Sequence, residues 1–493
     1  MPAPPPIAYA TLAAPLPAAP YILGITPSPT TPHLVLRHPS QSLTIADNQT
    51  LQPVAALQGG HAGHISSVSC DGGELWSAAV DGSIVRWDER GRQKATVIKG
   101  LFRHCRLVAT LPLNAYKANA TVISAFIRKA LPVTALTTSA NDNLVIGGTE
   151  LVSSEAHILF WDPRNSSAPL YTHSSTHSDD ITHLSLLRSS STFLPPSHNS
   201  EIKTPSTLLL SASTDGLVAL SDMKESDEEE ALVAEENWGQ SIADAGGYMH
   251  KGKMSVWARS DMDEMCLWGV GRGSIGEIEL QDHKHYASSE FKFKTFTPPK
   301  AGPSITQTAL DEFKSKTTYK SDYLINVVPS LGVSSDGAPM TTVGTNEGDM
   351  ILQHHSASTS SYKPSAFFLS GPGANRGHKD VVRAMYHDLA NEALYTGSED
   401  GVLAGFSLAS LPERLTVGDP EVDDDDGDGR EEDDNMDEES EIETESSEEN
   451  DDDEDEDMEE EGPRYGPIIG AGSNGRPGAD KREERRKKRY GPY

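Results

Sequence analysis

From about residue 17 to residue 412 the chain is built of short apolar runs broken by Gly, Pro, Asn, Asp and Ser. Runs such as Tyr21-Ile-Leu-Gly-Ile25 and His33-Leu-Val-Leu36 are strand length, so the pattern predicts an all-β chain. One pattern recurs. Ser77-Ala-Ala-Val-Asp81-Gly82-Ser-Ile-Val-Arg-Trp87-Asp88 aligns without a gap on Ser211-Ala-Ser-Thr-Asp215-Gly216-Leu-Val-Ala-Leu-Ser221-Asp222. Thr396-Gly-Ser-Glu-Asp400-Gly401-Val-Leu-Ala-Gly-Phe406 keeps the same offsets. Each copy leaves an apolar run, turns at Asp-Gly and resumes an apolar run. Gly accepts the positive φ that such a turn needs, so each copy predicts a hairpin. A recurring hairpin implies an array of small sheets, none able to bury its own face alone, and hence a β-propeller.

Upstream of each hairpin a His is followed four residues later by Ile or Val: His61 and Ile65, His177 and Ile181, His378 and Val382. A His opening, an Asp-Gly turn and a Trp-Asp close together resemble the WD40 repeat. The resemblance implies a seven-bladed WD40 β-propeller. It also implies a hydrogen-bonded tetrad of His, Ser or Thr, Asp and Trp inside a blade. Carried over, the fullest set is His61, Ser77, Asp81 and Trp87. The second is His177, Ser211 and Asp215, with Ser221 in the Trp place. The third is His378, Thr396 and Asp400, where Phe406 has no indole N–H to donate. All are read as blade architecture and not as catalytic groups.

The expected blades are 17–55, 56–98, 125–172, 173–223, 237–281, 320–370 and 377–411, with irregular insertions at about 100–124, 189–206 and 282–319. Thr345-Asn-Glu-Gly348 stands in for the Asp-Gly turn of blade six. A strand from the N-terminal segment around 20–40 is expected to close the ring and protect its last edge. Residues 1–16, rich in Ala and Pro, are expected to be disordered. Residues 100–124 match no blade pattern and read either as a surface loop or as an untranslated stretch carried by the gene model.

The C-terminal half is similar to the WD repeat-containing protein 89 subfamily. Ser321-Asp-Tyr-Leu-Ile, Thr342-Val-Gly-Thr-Asn-Glu-Gly348, Gly377-His-Lys-Asp-Val-Val-Arg383 and Tyr395-Thr-Gly-Ser-Glu-Asp400 carry the likeness. Glu236-Asn-Trp-Gly-Gln-Ser-Ile-Ala-Asp-Ala-Gly-Gly247 fits that subfamily's fifth blade. The resemblance covers 17–411 and implies little about function.

Charge divides the remainder of the chain. Of the formal net charge of −33, residues 419–461 hold −28 and residues 462–493 hold +6, leaving −11 on the other 418 residues. Residues 413–493 therefore read as a disordered tail, acidic over 419–461 and basic over 476–489, since dense like charge with few apolar residues cannot offset the entropy of ordering. The tail reads either as a solubilising segment or as a polyanion that recruits basic proteins such as histones or ribosomal proteins. Ser446 and Ser447, set among acids, resemble an acidophilic kinase site. Lys481, Arg482, Arg485, Arg486, Lys487, Lys488 and Arg489 read as a nuclear localisation element. The adjacent −28 opposes a phosphate backbone, so nucleic acid is disfavoured as a partner. Three cysteines (Cys70, Cys105, Cys266) are too few and scattered for a disulfide framework or zinc site. The Pro-broken N-terminus is no signal peptide, and no apolar run reaches membrane-span length. An intracellular, nuclear protein with no membrane partner is expected.

Few motifs argue for chemistry. Gly271-Arg-Gly273-Ser-Ile-Gly276 matches a dinucleotide-binding pattern, but the alternation after it predicts a strand where that chemistry needs a helix. Asp282-His283-Lys284-His285 and His354-His355 lack partners at metal-ligand spacing and read as surface histidines. No nucleophile elbow, phosphate loop or kinase signature is present. No enzyme, cofactor or metal is therefore expected. Trp87-Asp88-Glu89-Arg90 and Trp161-Asp162-Pro163-Arg164 both end a blade with WDxR. This is similar to the motif by which some WD40 proteins dock the DNA-damage-binding adaptor of cullin–RING ubiquitin ligases. Phe160 supplies the apolar residue that motif wants before the Trp, and Arg86 does not. The expectation is a non-enzymatic scaffold that displays propeller loops to other proteins. Two sharper readings compete: a cullin–RING substrate receptor, and an acidic-tailed assembly factor for basic nuclear proteins.

Overall fold

The structure, a computed structural model, describes residues 7–18, 20–88, 93–97, 122–124, 131–165, 168–188, 205–274, 277–291, 321–369 and 377–409. These residues form seven sheets, each built on a meander of antiparallel neighbours, with one parallel strand added at the edge of one sheet. Two short strands come first, β1 (Ile7–Tyr9) and β2 (Leu12–Pro15). Blade one is β3 (Gly24–Pro27), β4 (His33–Arg37), β5 (Leu43–Asp47) and β6 (Pro53–Leu57). Blade two is β7 (Ile65–Asp71), β8 (Glu74–Ala79), β9 (Ser83–Asp88) and β10 (Gln93–Val97), with β11 (Val122–Ser124) also on β9. Blade three is β12 (Val133–Ser139), β13 (Leu144–Thr149), β14 (Ile158–Trp161) and β15 (Tyr171–His173). Blade four is β16 (Ile181–Arg188), β17 (Thr207–Ser213), β18 (Leu217–Asp222) and β19 (Leu232–Asn237). Blade five is β20 (Ile242–His250), β21 (Lys253–Ser260), β22 (Met265–Arg272) and β23 (Ile278–Tyr286). Blade six is β24 (Tyr323–Val327), β25 (Thr341–Gly344), β26 (Met350–Ser356) and β27 (Ser361–Leu369), and blade seven is β28 (Val382–Asp388), β29 (Ala393–Ser398) and β30 (Val402–Ser407).

The ring is held by what lies between blades. One cluster of buried side chains joins blades one, two and three, with Val35, Trp76 and Val133 among its members. Others join three to four, four to five, five to six and six to seven. A last cluster packs Leu34 and Leu36 of blade one against Tyr395 and Leu403 of blade seven, closing the circle. First strands of neighbouring blades approach one another, β28 against β3 included, and so line the centre. The seven-bladed propeller predicted from the hairpin repeat is the observed fold.

Three turns repeat one geometry. The N–H of Gly82, Gly216 and Gly401 donates to the carbonyl three residues back, on Ala79, Ser213 and Ser398. Each Gly has positive φ, between 74° and 83°, which is the freedom the position requires. Gly348 (φ 90°) does the same for blade six, where Thr345-Asn-Glu-Gly348 was expected to turn.

Ring closure differs from the expectation. Segment 20–40 contributes blade one itself. The outer strand of blade seven is β2, with Leu12 opposite Gly405 and Pro15 opposite Val402. One step upstream, β1 lies parallel to β27, with Ile7 opposite Phe367. Residues 7–15, expected to lie outside any fold, thus cover two sheet edges. These strands pair through the main chain, and edge positions tolerate the Ala and Pro that hid them in the sequence.

Other boundaries also move. Blade four does not end at 223: a one-turn helix, α1 (Glu228–Ala231), is followed by β19, whose Val233 and Ala234 pack on the blade four–five cluster while Glu236 and Asn237 are exposed. Residues 282–286, assigned to an insertion, complete β23. The insertion at 100–124 lies outside the described residues except for β11. There Val97 of β10 and Val122 of β11 both pair with Val85, and Ile123 pairs with Ile84, so the two segments follow one edge of β9 in continuous register. The stretch at 189–206 is described only from residue 205, and the remainder of the 282–319 insertion only as far as residue 291.

Six of the inner strands carry an irregularity near their start, at the second residue in five (Ser66, Thr134, Thr182, Ala243 and Arg383) and at the third, Ile325, in β24. At the first three a hydroxyl uses the bulge. Thr134 Oγ1 donates to Ile181 O of the next blade at 2.6 Å and lies 3.1 Å from Gly148 O of its own. Thr182 Oγ1 reaches Ile242 O at 2.7 Å, and Ser66 Oγ reaches Val133 O. A bulge turns the side chain out of the sheet, and here it points each hydroxyl at the neighbouring backbone.

Candidate interaction site

The His–Ser/Thr–Asp sets are assembled in blades two, four and seven. His61 Nε2 lies 2.6 Å from Ser77 Oγ, His177 Nε2 lies 2.8 Å from Ser211 Oγ, and His378 Nε2 lies 2.7 Å from Thr396 Oγ1. In blade two Trp87 Nε1 also donates to Ser77 Oγ, at 2.8 Å. The aspartates do a different job. Oδ1 of Asp81, Asp215 and Asp400 accepts the N–H two residues on, from Ser83, Leu217 and Val402. Oδ2 accepts the N–H just after the His, from Ala62, Ser178 and Lys379. Each carboxylate therefore ties its own turn to the loop that enters the blade. The imidazole Nδ1 stands farther off, 4.0, 3.5 and 3.8 Å from the three carboxylates. In blade two Ser83 Oγ fills that gap, 2.6 Å from His61 Nδ1 and 2.5 Å from Asp81 Oδ1.

Ser–His–Asp order has the bond sequence of an acyl-transfer triad. Burial decides otherwise: Ser77, Ser211 and Thr396 are at most 1% exposed, and no described cavity is lined by them. These groups hold strands together. Where the Trp is replaced, the site is filled without the bond: Ser221 is buried in β18, and the Phe406 ring packs edge-on against Phe368 at 5.2 Å.

Blade three lacks the polar set. Gly147 takes the place of Ser77, pairing with Leu159 as Ser77 pairs with Val85. Trp161 takes the place of Trp87 and is fully buried, and among the described residues its Nε1 has no hydrogen-bond partner. A Cβ on Gly147 would meet the Trp161 ring at 3.3 Å and Val133 at 3.2 Å. Packing is thus what retains this Trp.

The remaining sequence candidates fall as follows. Gly271 lies in β22, which ends at Arg272, and the Gly273 N–H donates across to Glu277 O, so a strand hairpin occupies the glycine-rich motif, and Gly276 lies outside the described residues. His283 and His285 are exposed on β23, His283 stacking on Trp268 at 5.7 Å. The pair at 354–355 is not a surface pair. His355 is buried in β26 with Nδ1 2.8 Å from Asp336 Oδ2, and its ring packs edge-on against Tyr286 and Tyr362. It anchors the loop before β25, whose Gly337 O accepts from Tyr248 Oη. Among the described residues no group of three or more His, Cys, Asp or Glu could hold a metal ion. Nor is any described helix long and apolar enough to cross a membrane.

The face opposite the Asp-Gly turns holds the other candidates. Arg164 is 70% exposed at its side chain, and its guanidinium grips Asp162 with Nε and Nη2, the shortest contact being 2.7 Å. That grip holds the Asp162 carboxyl below the usual carboxylate range and raises the Arg164 guanidinium. Arg90 and the side chain of Asp88 lie outside the described residues, as do Lys481, Arg482, Arg485, Arg486, Lys487, Lys488, Arg489, Ser446 and Ser447. Beside Arg164 a cleft of about 290 Å³ opens between blades two and three. The β7–β8 hairpin supplies Asp71 and Glu74, the β12–β13 hairpin supplies Asn143, and Arg86 and Arg164 stand on its walls. Arg86 entered the sequence argument only as a poor match to a motif. Its contribution to a cleft depends on which blade is its neighbour, and strand spacing carries no such signal.

No protein-family model matches the chain. A WD repeat-containing protein of Schizosaccharomyces pombe, itself described as uncharacterized, is 23% identical over 379 residues, covering 76% of this chain and 92% of that protein. The seven-bladed ring, with its recurring His–Ser/Thr–Asp geometry, and this WD-repeat relative together support the WD40 family for the chain.

Proposed function

We propose that the protein is a non-enzymatic interaction scaffold, nuclear in location, that presents the loops of a rigid ring to other proteins. The observation that carries this reading is the closed circle of inter-blade clusters, which holds turns of unlike sequence in fixed positions on two faces. A pre-organised surface of this kind loses little freedom on binding. The likeness to the WD repeat-containing protein 89 subfamily belongs to the same reading.

A second reading rests on Arg164, which is exposed and aimed by its bond to Asp162. With Arg90 it would dock the adaptor of a cullin–RING ligase. A third rests on the −28 carried by residues 419–461, which suits recruitment of basic nuclear proteins in ribosome or chromatin assembly. Affinity purification compares the intact chain, a chain ending at Pro412 and an Arg90→Ala/Arg164→Ala variant. Adaptor recovered with the first two and lost from the third establishes the receptor reading. Basic proteins that vanish with the tail establish the assembly reading. Recovery of no protein with any of the three defeats the scaffold proposal.

A further inference from the structure

We infer that the cleft between blades two and three is a binding site for an acidic side chain of a partner peptide, with an apolar residue beside it. The inference deepens the scaffold reading and rests on it. The argument is a census of hydrogen-bonding capacity. Both carboxylates in the cleft are already served. Asp71 accepts the Ala140 N–H at 2.8 Å and Arg188 Nη2 at 3.3 Å. Glu74 accepts the Trp76 indole N–H on Oε2 and Arg86 Nη2 on Oε1, each at 3.0 Å. The hydroxyls are served as well: Thr138 bonds Ser69 at 3.0 Å and Ser139 bonds Asp142 at 2.6 Å.

The donors are not exhausted. A guanidinium has five N–H donors. Arg86 commits Nη2 alone, and Arg164 commits Nε and Nη2. Among the described residues the Asn143 carboxamide has no hydrogen-bond partner, although its backbone sits at φ 51° on the cleft's rim. The unspent charged donors are thus those of Arg86 and Arg164, beside the Asn143 amide, while each carboxylate of the cleft already holds an arginine, and these donors suit an acceptor-only group, which an ionised carboxylate is.

Size and floor narrow the class. A volume of about 290 Å³ lies at the small end for enclosed ligands, and the Arg164 side chain at 70% exposure leaves the rim open. Such a cleft takes a side chain of a longer chain more readily than a whole small molecule. Its floor is Trp76, Leu144 and Val145, exposed 1%, 8% and 1%, against which an apolar neighbour of the acid can lie.

The test uses the full chain and fluorescent twelve-residue peptides with a Leu-Glu-Leu centre, alongside Leu-Gln-Leu and Leu-Lys-Leu controls, read by anisotropy. The Glu peptide is expected to bind about tenfold tighter than the Gln peptide, the scale of one charge-assisted bond. Arg86→Ala and Asn143→Gly should each weaken it several-fold, and Arg383→Ala on the opposite face should not. Asn143→Gly keeps a residue that accepts the positive φ, so its fold is preserved. Equal binding of Glu and Gln peptides, preference for Lys, no binding, or indifference to Arg86→Ala each overturns the inference. Affinity purification with Arg86→Ala separates it from the scaffold reading: unchanged partners sink the cleft alone.

Discussion

Trp87 and Trp161 take matching places in corresponding strands of neighbouring blades, and their indole N–H groups fare differently. Trp87 donates to Ser77, whereas Trp161 faces Gly147 and has no partner. Truncation to Phe removes similar packing from both and a hydrogen bond from only one. Trp87→Phe is therefore expected to cost about 1 kcal/mol more than Trp161→Phe in denaturant unfolding. Histidines and aspartates set the acid response. Burial lowers the His38, His157 and His173 imidazoles below their ordinary value, opposed only in part by the Tyr21 carbonyl at His38 and by carboxylates such as Glu228 at the other two. The unfolded chain then binds protons that the folded chain refuses, so stability falls as pH drops below about 6.5. For Asp81, Asp215 and Asp400 burial is the largest single influence and raises the carboxyl, but it is outweighed by hydrogen bonds. Those bonds come from Ser83, Ala62 and Gly63 at Asp81, and from the partner His and backbone N–H groups at the other two. The net lowering stabilises the fold above the ordinary carboxylate value and is lost as pH falls below about 4. Melting temperature should thus fall in two stages on acidification. His173→Phe, placed among the rings of Phe160 and Tyr171, should flatten the first stage and leave the second.

At the scale of elements, the hairpins were legible and the strands that close them were not. Asp-Gly at fixed offsets announces a turn because φ, hydrogen bonding and apolar flanks agree locally. β1 and β2 carry no such agreement, since their partners lie more than 350 residues away and their small side chains, such as Ala8 and Ala14, give no strand signal of their own. Removing residues 1–16 should strip an edge from blades six and seven, lowering the melting temperature and promoting association seen by size exclusion. The 98–122 segment makes the opposite prediction. Joining Val97 directly to Ile123 continues the pairing along β9 from Val85 to Ile84, so a chain lacking 98–122 should melt no lower than the intact one. A clear drop would show that the segment contributes to the fold. Thr134→Val removes the hydroxyl that bridges Gly148 O and Ile181 O, and should cost about 1 kcal/mol by loss of the inter-blade bond.

Across the whole molecule, neighbouring blades share their cores, and none of the buried clusters belongs to a single blade. The chain ending at Pro412 should therefore unfold in a single transition, and separate steps for separate blades in a calorimetric scan would contradict that. The same sharing explains where a binding cleft can arise, because Arg86 and Arg164 meet only when two blades stand side by side. From sequence alone came the all-β class, the hairpin repeat, the His–Ser/Thr–Asp positions and the division of charge, all carried by residues within one repeat or one run. Ring closure by residues 7–15, the buried role of His355, the unpartnered Trp161 and the cleft's lining came only from the folded chain. Each depends on contacts between segments distant along the chain, and local propensity, which ends at the turn, holds no record of them.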